Sequence, residues 1–168
     1  DLWAFIEKKI KAREQIFWVC PLIEESKKLD FSSTVKKFKF INSKFPKKVG
    51  LIHGALNQEE KELILKKFLN NKISILVSTT VIEVGIDFPN ATVIVVENSN
   101  KFGLAQLHQL RGRIGRGDRS GTCILLFKNQ LSQNAKKRIQ ILKASDDGFH
   151  IAEEDMKLRG YGDIVGFK

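Results

Sequence analysis

The chain has 168 residues, 42% of them hydrophobic and 29% charged, which fits one folded domain of ordinary size and excludes wholesale disorder. Its 29 basic residues against 19 acidic ones leave a net charge of +10. An excess of that size points to a polyanionic partner, nucleic acid first, or to a plain solvated lysine surface. No apolar run approaches the ~18 residues of a membrane span, so no membrane is expected.

Leu2, Phe5, Ile6 and Ile10 recur at helical spacing, predicting a lead-in helix within residues 1–13 with a basic outer face. Gln15–Leu22 is a continuous apolar run ending at a proline, the pattern of a strand buried on both faces. Ile23–Ser33 is polar and reads as a loop. Val35, Phe38, Ile41 and Phe45 predict a helix over Ser33–Phe45, stopped by Pro46. Lys48–His53 is a second strand that turns at Gly54. Asn57, with Glu60 three residues on, starts an amphipathic helix over Gln58–Asn71 that carries Leu63, Ile64, Phe68 and Leu69 on one stripe. Ile73–Ser78 is a third strand, Thr79–Asp87 a loop with a short helical piece, and Ala91–Glu97 a fourth strand. Gly103–Arg113 is a helix and Gly121–Phe127 a fifth strand. Ser132–Ser145 and Gly148–Leu158 read as two more helices, and Arg159–Lys168 as a glycine-rich tail.

Strands that are continuous rather than alternating, interleaved with helices, predict an α/β fold with a parallel sheet covered on both faces. Ligands of such folds bind outside the carboxyl ends of the strands. Cys20 and Cys123 lie in apolar β-like runs and read as buried thiols of a reducing compartment. Neither the cysteines nor His53, His108 and His150 make a metal-ligand motif. Trp18 lies within an apolar strand and reads as core. The pairs Lys36-Lys37 and Lys47-Lys48 and the run Lys136-Lys137-Arg138 read as solvated faces, or as a lining for DNA.

Two stretches carry chemistry. Gln106–Gly117 (QLHQLRGRIGRG) sets Arg111, Arg113 and Arg116 among small residues behind two glutamines. Arginine presents five donors in a fixed fork that matches phosphate, so the segment reads as a phosphate binder, against a simple surface cluster. Arg113 and Arg116 share one side at i, i+3 spacing and can converge on one phosphate. There an arginine stabilises the charge of a phosphoryl-transfer transition state. The second stretch, Ser78–Asp87 (STTVIEVGID), offers hydroxyls at a strand end for a phosphate backbone, then Gly85 and Asp87, where a carboxylate can accept from a ribose hydroxyl. Helix capping and an Asp-Phe-Pro turn account for the same residue types.

Together these stretches resemble motifs V and VI of superfamily 2 helicases, and the chain is similar to the second RecA-like domain of such a motor. VCPLIEES at Val19–Ser26, TTVIEVGIDFPNA at Thr79–Ala91 and LAQLHQLRGRIGRG at Leu104–Gly117 resemble the RecG family of bacterial branched-DNA helicases. Asp147–Gly166 is similar to the helical hairpin and loop that this family shares with the transcription-repair coupling factor, and VCPLIEES favours the RecG family of the two. The resemblance implies a RecA-like parallel sheet flanked by helices over residues 1–145. It also implies a C-terminal helical hairpin and loop over 146–168 that serves as a coupling segment. Arg113 and Arg116 would be catalytic arginine fingers facing ATP, and Gln109 would help hold that phosphate site. Gly85 and Asp87 would border the sugar of the nucleotide. Thr79, with His53 and Gly54, would follow the DNA backbone. Arg159 and Gly160 would pass ATP-driven movement to the duplex; the family usually shows a threonine or similar residue before this Arg-Gly, where the chain has Leu158.

The implied partners are branched double-stranded DNA in recombination and repair, and the N-terminal RecA-like domain of the same protein. A monomer in the bacterial cytoplasm is expected. The sequence contains no GxxxxGK[ST] loop and no Asp-Glu pair after an apolar strand: Glu59-Glu60 falls in a helix and Asp146-Asp147 in a loop. ATP and Mg²⁺ are therefore expected to be held mainly by a preceding domain, and the isolated chain is expected to hydrolyse nothing. A passive nucleic-acid-binding module suits the charge equally, but does not need the glutamine–arginine spacing.

Overall fold

The structure, a computed structural model, describes residues 1–20, 27–79, 88–97, 102–112, 114, 121–127, 133–145, 148–154 and 161–165. In chain order the elements are α1 (Leu2–Lys11), β1 (Gln15–Val19), α2 (Lys27–Lys44), β2 (Val49–Ile52), α3 (Gln58–Leu69), β3 (Ile75–Ser78), β4 (Ala91–Val96), α4 (Leu104–Arg111), β5 (Thr122–Phe127), α5 (Gln133–Ser145), β6 (Phe149–Glu154) and β7 (Tyr161–Val165). They form one seven-stranded sheet in the order β2-β3-β1-β4-β5-β6-β7. Neighbours from β2 to β6 are parallel, and β7 returns antiparallel to β6.

The continuous apolar runs are continuous because both faces of the sheet are covered. Along β1, Ile16, Trp18 and Cys20 face a core with Leu2 and Ile6 of α1 and Ile41 of α2. Phe17 and Val19 face the other core, with Phe68 of α3, Leu107 and Leu110 of α4, and Leu142 of α5. Trp18 is fully buried and stacks on Trp3 at 5.6 Å between ring centroids, so it is core, as its strand position implied. Phe17, Phe68 and Phe88 form a ring cluster at 5.0–5.3 Å on the opposite face. Cys20 and Cys123 are both free and buried.

At the amino edge, Gln15 is buried, and its Nε2 donates to the carbonyls of Phe68 and Ile73. A polar group at such a site is tolerated because its hydrogen bonds are made. The predicted capping box is present: Asn57 Oδ1 accepts from Glu60 N at 2.8 Å, and Glu60 Oε1 accepts from Asn57 N at 3.1 Å. Each of the first three helices returns to the sheet through a left-handed residue that is not glycine: Arg13 (φ 61°), Lys47 (φ 65°) and Asn71 (φ 59°).

Two expectations are corrected. The loop expected up to Ser33 is helical from Lys27. Residues 31–33 are exposed, Phe31 itself being 43% exposed, and neither Gly nor Pro interrupts residues 27–44. The helix expected over Gly148–Leu158 is instead strand β6 over Phe149–Glu154, with β7 after it, while residues 155–158 lie outside the described residues. The edge of β5 is open to pairing, and Phe149 buries to 1% exposure beside it. Burying such a ring contributes about 1.5–3 kcal/mol, whereas the helix preference of the polar residues that follow is worth only some tenths of a kcal/mol each.

Candidate functional site

The parallel strands end along one edge, and hydrogen bonds carry the pairing beyond the strands. Thr79 N donates to Ile52 O (3.2 Å), Cys20 N to Ser78 O (2.8 Å) and Glu97 N to Val19 O (3.0 Å). His53, Thr79, Cys20 and Glu97 therefore stand in a row at the carboxyl ends of β2, β3, β1 and β4. The sequence-derived DNA contacts sit at the β2–β3 end of this row. His53 Nδ1 accepts from Ala55 N at 3.2 Å, which leaves Nε2 as the donor of the neutral ring, and the ring meets Phe31 edge-on at 4.7 Å. Gly54 is exposed, and a Cβ there would meet nothing within 4 Å, so crowding does not require the glycine; it leaves the backbone bare. Thr79 is buried at 5% exposure and its N–H is committed to Ile52 O.

At the other end of the row, in the middle of the sheet, stands a group that the sequence reading passed over. The Glu97 carboxylate is buried, accepting from Trp18 Nε1 at 2.8 Å and Cys20 Sγ at 2.8 Å, with Lys37 Nζ at 3.5 Å. A buried carboxylate is tolerable when hydrogen bonds and a cation surround it, and this one ties β1, β4 and α2 together. Its only signal in the sequence was an acid closing an otherwise apolar strand.

From Glu97 the chain leads to α4. Gly103 caps this helix, with its N–H donating to Gln106 Oε1 at 2.8 Å. Leu107 and Leu110 bury one side, which leaves Gln109 exposed on the other, where a ligand can reach it. Beyond Gly112, Ile114 is again buried at 2% exposure. Leu110 and Ile114 are therefore both fixed to the core on either side of this turn, which the glycine-rich sequence did not advertise.

Residues 4–118 match the family model described as the helicase conserved C-terminal domain. The chain belongs to the helicase C-terminal domain family. This helicase domain is 46% identical over 167 residues to the ATP-dependent DNA helicase RecG of Bacillus subtilis (strain 168), covering 98% of the chain and 24% of that protein. It is 45% identical over 153 residues to the RecG of Escherichia coli (strain K12), covering 90% of the chain and 22% of the relative. Its fold matches a solved structure of RecG bound to a three-way DNA junction, with a TM-score of 0.72 at 41% identity over 88% of the chain and 19% of the other. Domain 2 of the DEAD-box helicase Mss116p, bound to an RNA duplex, shares the fold at a TM-score of 0.61 and 20% identity, covering 92% of this chain and 59% of that one. The expected RecA-like parallel sheet with flanking helices is the fold of this helicase domain, which spans about a quarter of the length of the curated relatives it matches.

The fold separates the sequence-derived residues of the helicase domain into two places on one edge. His53, Gly54 and Thr79 meet at the ends of β2 and β3, and Gln109 lies beyond β4 on α4. Gly85, Asp87, Arg113, Arg116, Arg159 and Gly160 lie outside the described residues. Among the described residues no three His, Cys, Asp or Glu side chains gather to hold a metal ion, and no helix is long and apolar enough to cross a membrane.

Proposed function

We propose that this domain is the C-terminal motor lobe of an ATP-dependent helicase of the RecG kind, remodelling branched DNA in recombination and repair. The observation that carries the reading is 46% identity to a RecG over nearly the whole chain, in a domain with His53, Gly54 and Thr79 at the carboxyl ends of its parallel strands. ATP, with its Mg²⁺, sits on a preceding RecA-like lobe. Gln109 and the two arginines reach it from this side. Arg113 and Arg116 meet the charge that grows on the transferred phosphoryl group, and lobe closure is what brings them there. Gly85 and Asp87 border the sugar on the path between that cleft and the DNA row. His53, Gly54 and the Thr79 hydroxyl hold phosphates without reading bases, as a translocating motor requires. Residues 146–168, with Arg159 and Gly160, act as the coupling segment, which includes β6 and β7. The protein works as a monomer in the bacterial cytoplasm.

The test is Arg113→Ala and Arg116→Ala in the full-length protein, read by DNA-stimulated ATP hydrolysis. Each is expected to lower turnover by about 10³-fold with the fold intact, the usual worth of an arginine finger. Near-normal turnover would mean that the arginines serve a passive DNA-binding surface instead.

A further inference from the structure

Of the three arginines in the Gln106–Gly117 segment, Arg111 has no part in the reading above, and its surroundings explain why. A Cβ at Gly148 would strike Arg111 Nε and lie 2.7 Å from one of its terminal nitrogens. A Cβ at Gly121 would lie 2.8 Å from the other terminal nitrogen. The guanidinium therefore occupies the space that side chains at both positions would fill. These two glycines precede β5 and β6, so Arg111 reaches from the last turn of α4 back onto the sheet. Gly121 also admits the next fixed residue: its Cβ would stand 2.7 Å from Ile114 O and 2.8 Å from Ile114 Cγ1. One turn earlier in α4, His108 meets Phe149 edge-on at 5.3 Å between centroids. Residue 113 thus lies between two residues, Arg111 and Ile114, that share one glycine seat.

We propose that Arg111 is a positioning residue for the nucleotide-facing arginines, seated on Gly121 and Gly148, and not itself a reader of phosphate. The inference rests on the finger role proposed for Arg113. Arg111 acts through geometry: its guanidinium fills the space beside Gly121 and Gly148, and so anchors the end of α4 to the starts of β5 and β6. A loose turn costs rate at the chemical step, because a displacement near 1 Å is enough to lose up to about a hundredfold.

Gly148→Ala provides a remote test, since the atom it would strike is the movable end of the Arg111 side chain. The experiment measures kcat and KM for ATP in the full-length protein for Arg111→Ala, Gly148→Ala, their double variant and Arg113→Ala, with thermal unfolding of each. Arg111→Ala and Gly148→Ala are each expected to lower kcat of order tenfold, with KM nearly unchanged. The double variant should be no worse than Arg111→Ala alone, because the alanine methyl then has nothing left to displace. A normal kcat in Gly148→Ala, losses that multiply in the double variant, or a change confined to the unfolding temperature would overturn the proposal. Normal turnover in Arg113→Ala would instead sink the finger role, so the two failures are distinguishable.

Discussion

Glu97 shows how one residue at a strand end can organise the edge around it. Its carboxylate gathers an indole N–H, a thiol and an ammonium from β1 and α2, and the loop toward α4 begins at its own carbonyl. Glu97→Ala would leave the Trp18 N–H buried without this acceptor and Lys37 without this carboxylate. A loss of roughly 2–4 kcal/mol is expected, seen as an unfolding midpoint lower by about 5–10 °C. Glu97→Gln keeps an acceptor of the same shape and should lose clearly less; an equal loss in both would put the weight on charge alone. Side chains of this kind were not legible beforehand. An acid after an apolar run is an ordinary strand end until its partners, 60 to 79 positions away in sequence, are placed beside it. Gln109, Arg113 and Arg116 stood out as candidates by spacing and residue type, and Arg111 stood out in the same way, although its seat against Gly121 and Gly148 shows only in the fold.

At the scale of elements, five strands and the amphipathic helices followed from unbroken apolar runs and 3.6-residue spacing, and the Asn57 capping box could be read letter by letter. The departures have a common cause. Residues 27–33 and 149–154 are polar or mixed stretches whose state is set by what they pack or pair with, and pairing across a sheet edge leaves little local signature. The helix-to-strand turns were silent for another reason: the residue expected in a left-handed turn is glycine, and here Arg13, Lys47 and Asn71 take that conformation. A side chain at such an angle costs about 1 kcal/mol relative to glycine. Lys47→Gly is therefore expected to raise stability by up to about 1 kcal/mol by denaturant unfolding, less what glycine adds to the entropy of the unfolded chain. A clear loss of stability would mean that the Lys47 side chain contributes more than its backbone angle costs.

For the molecule as a whole, the division of labour along one edge sets what the isolated lobe can and cannot do. With a net charge of +10 and the phosphate contacts proposed for His53, Gly54 and Thr79, it should bind DNA without sequence preference. With about four phosphate contacts, affinity should fall roughly a hundredfold between about 50 and about 200 mM salt. The same preparation should hydrolyse no ATP until the preceding lobe is restored. Salt-insensitive binding would point to base contacts, and measurable hydrolysis would place a complete nucleotide site within the chain. The burial of both thiols adds something of use to such work. Cys20 is turned into the Glu97 network and Cys123 lies at the sheet centre, so neither offers sulfur to a maleimide at the surface. This domain is in effect a blank canvas for labelling: a single cysteine introduced at Gln58, exposed at the start of α3, would carry a dye alone. Paired with a second dye on the preceding lobe proposed above, it would turn the proposed lobe closure into a distance followed in real time.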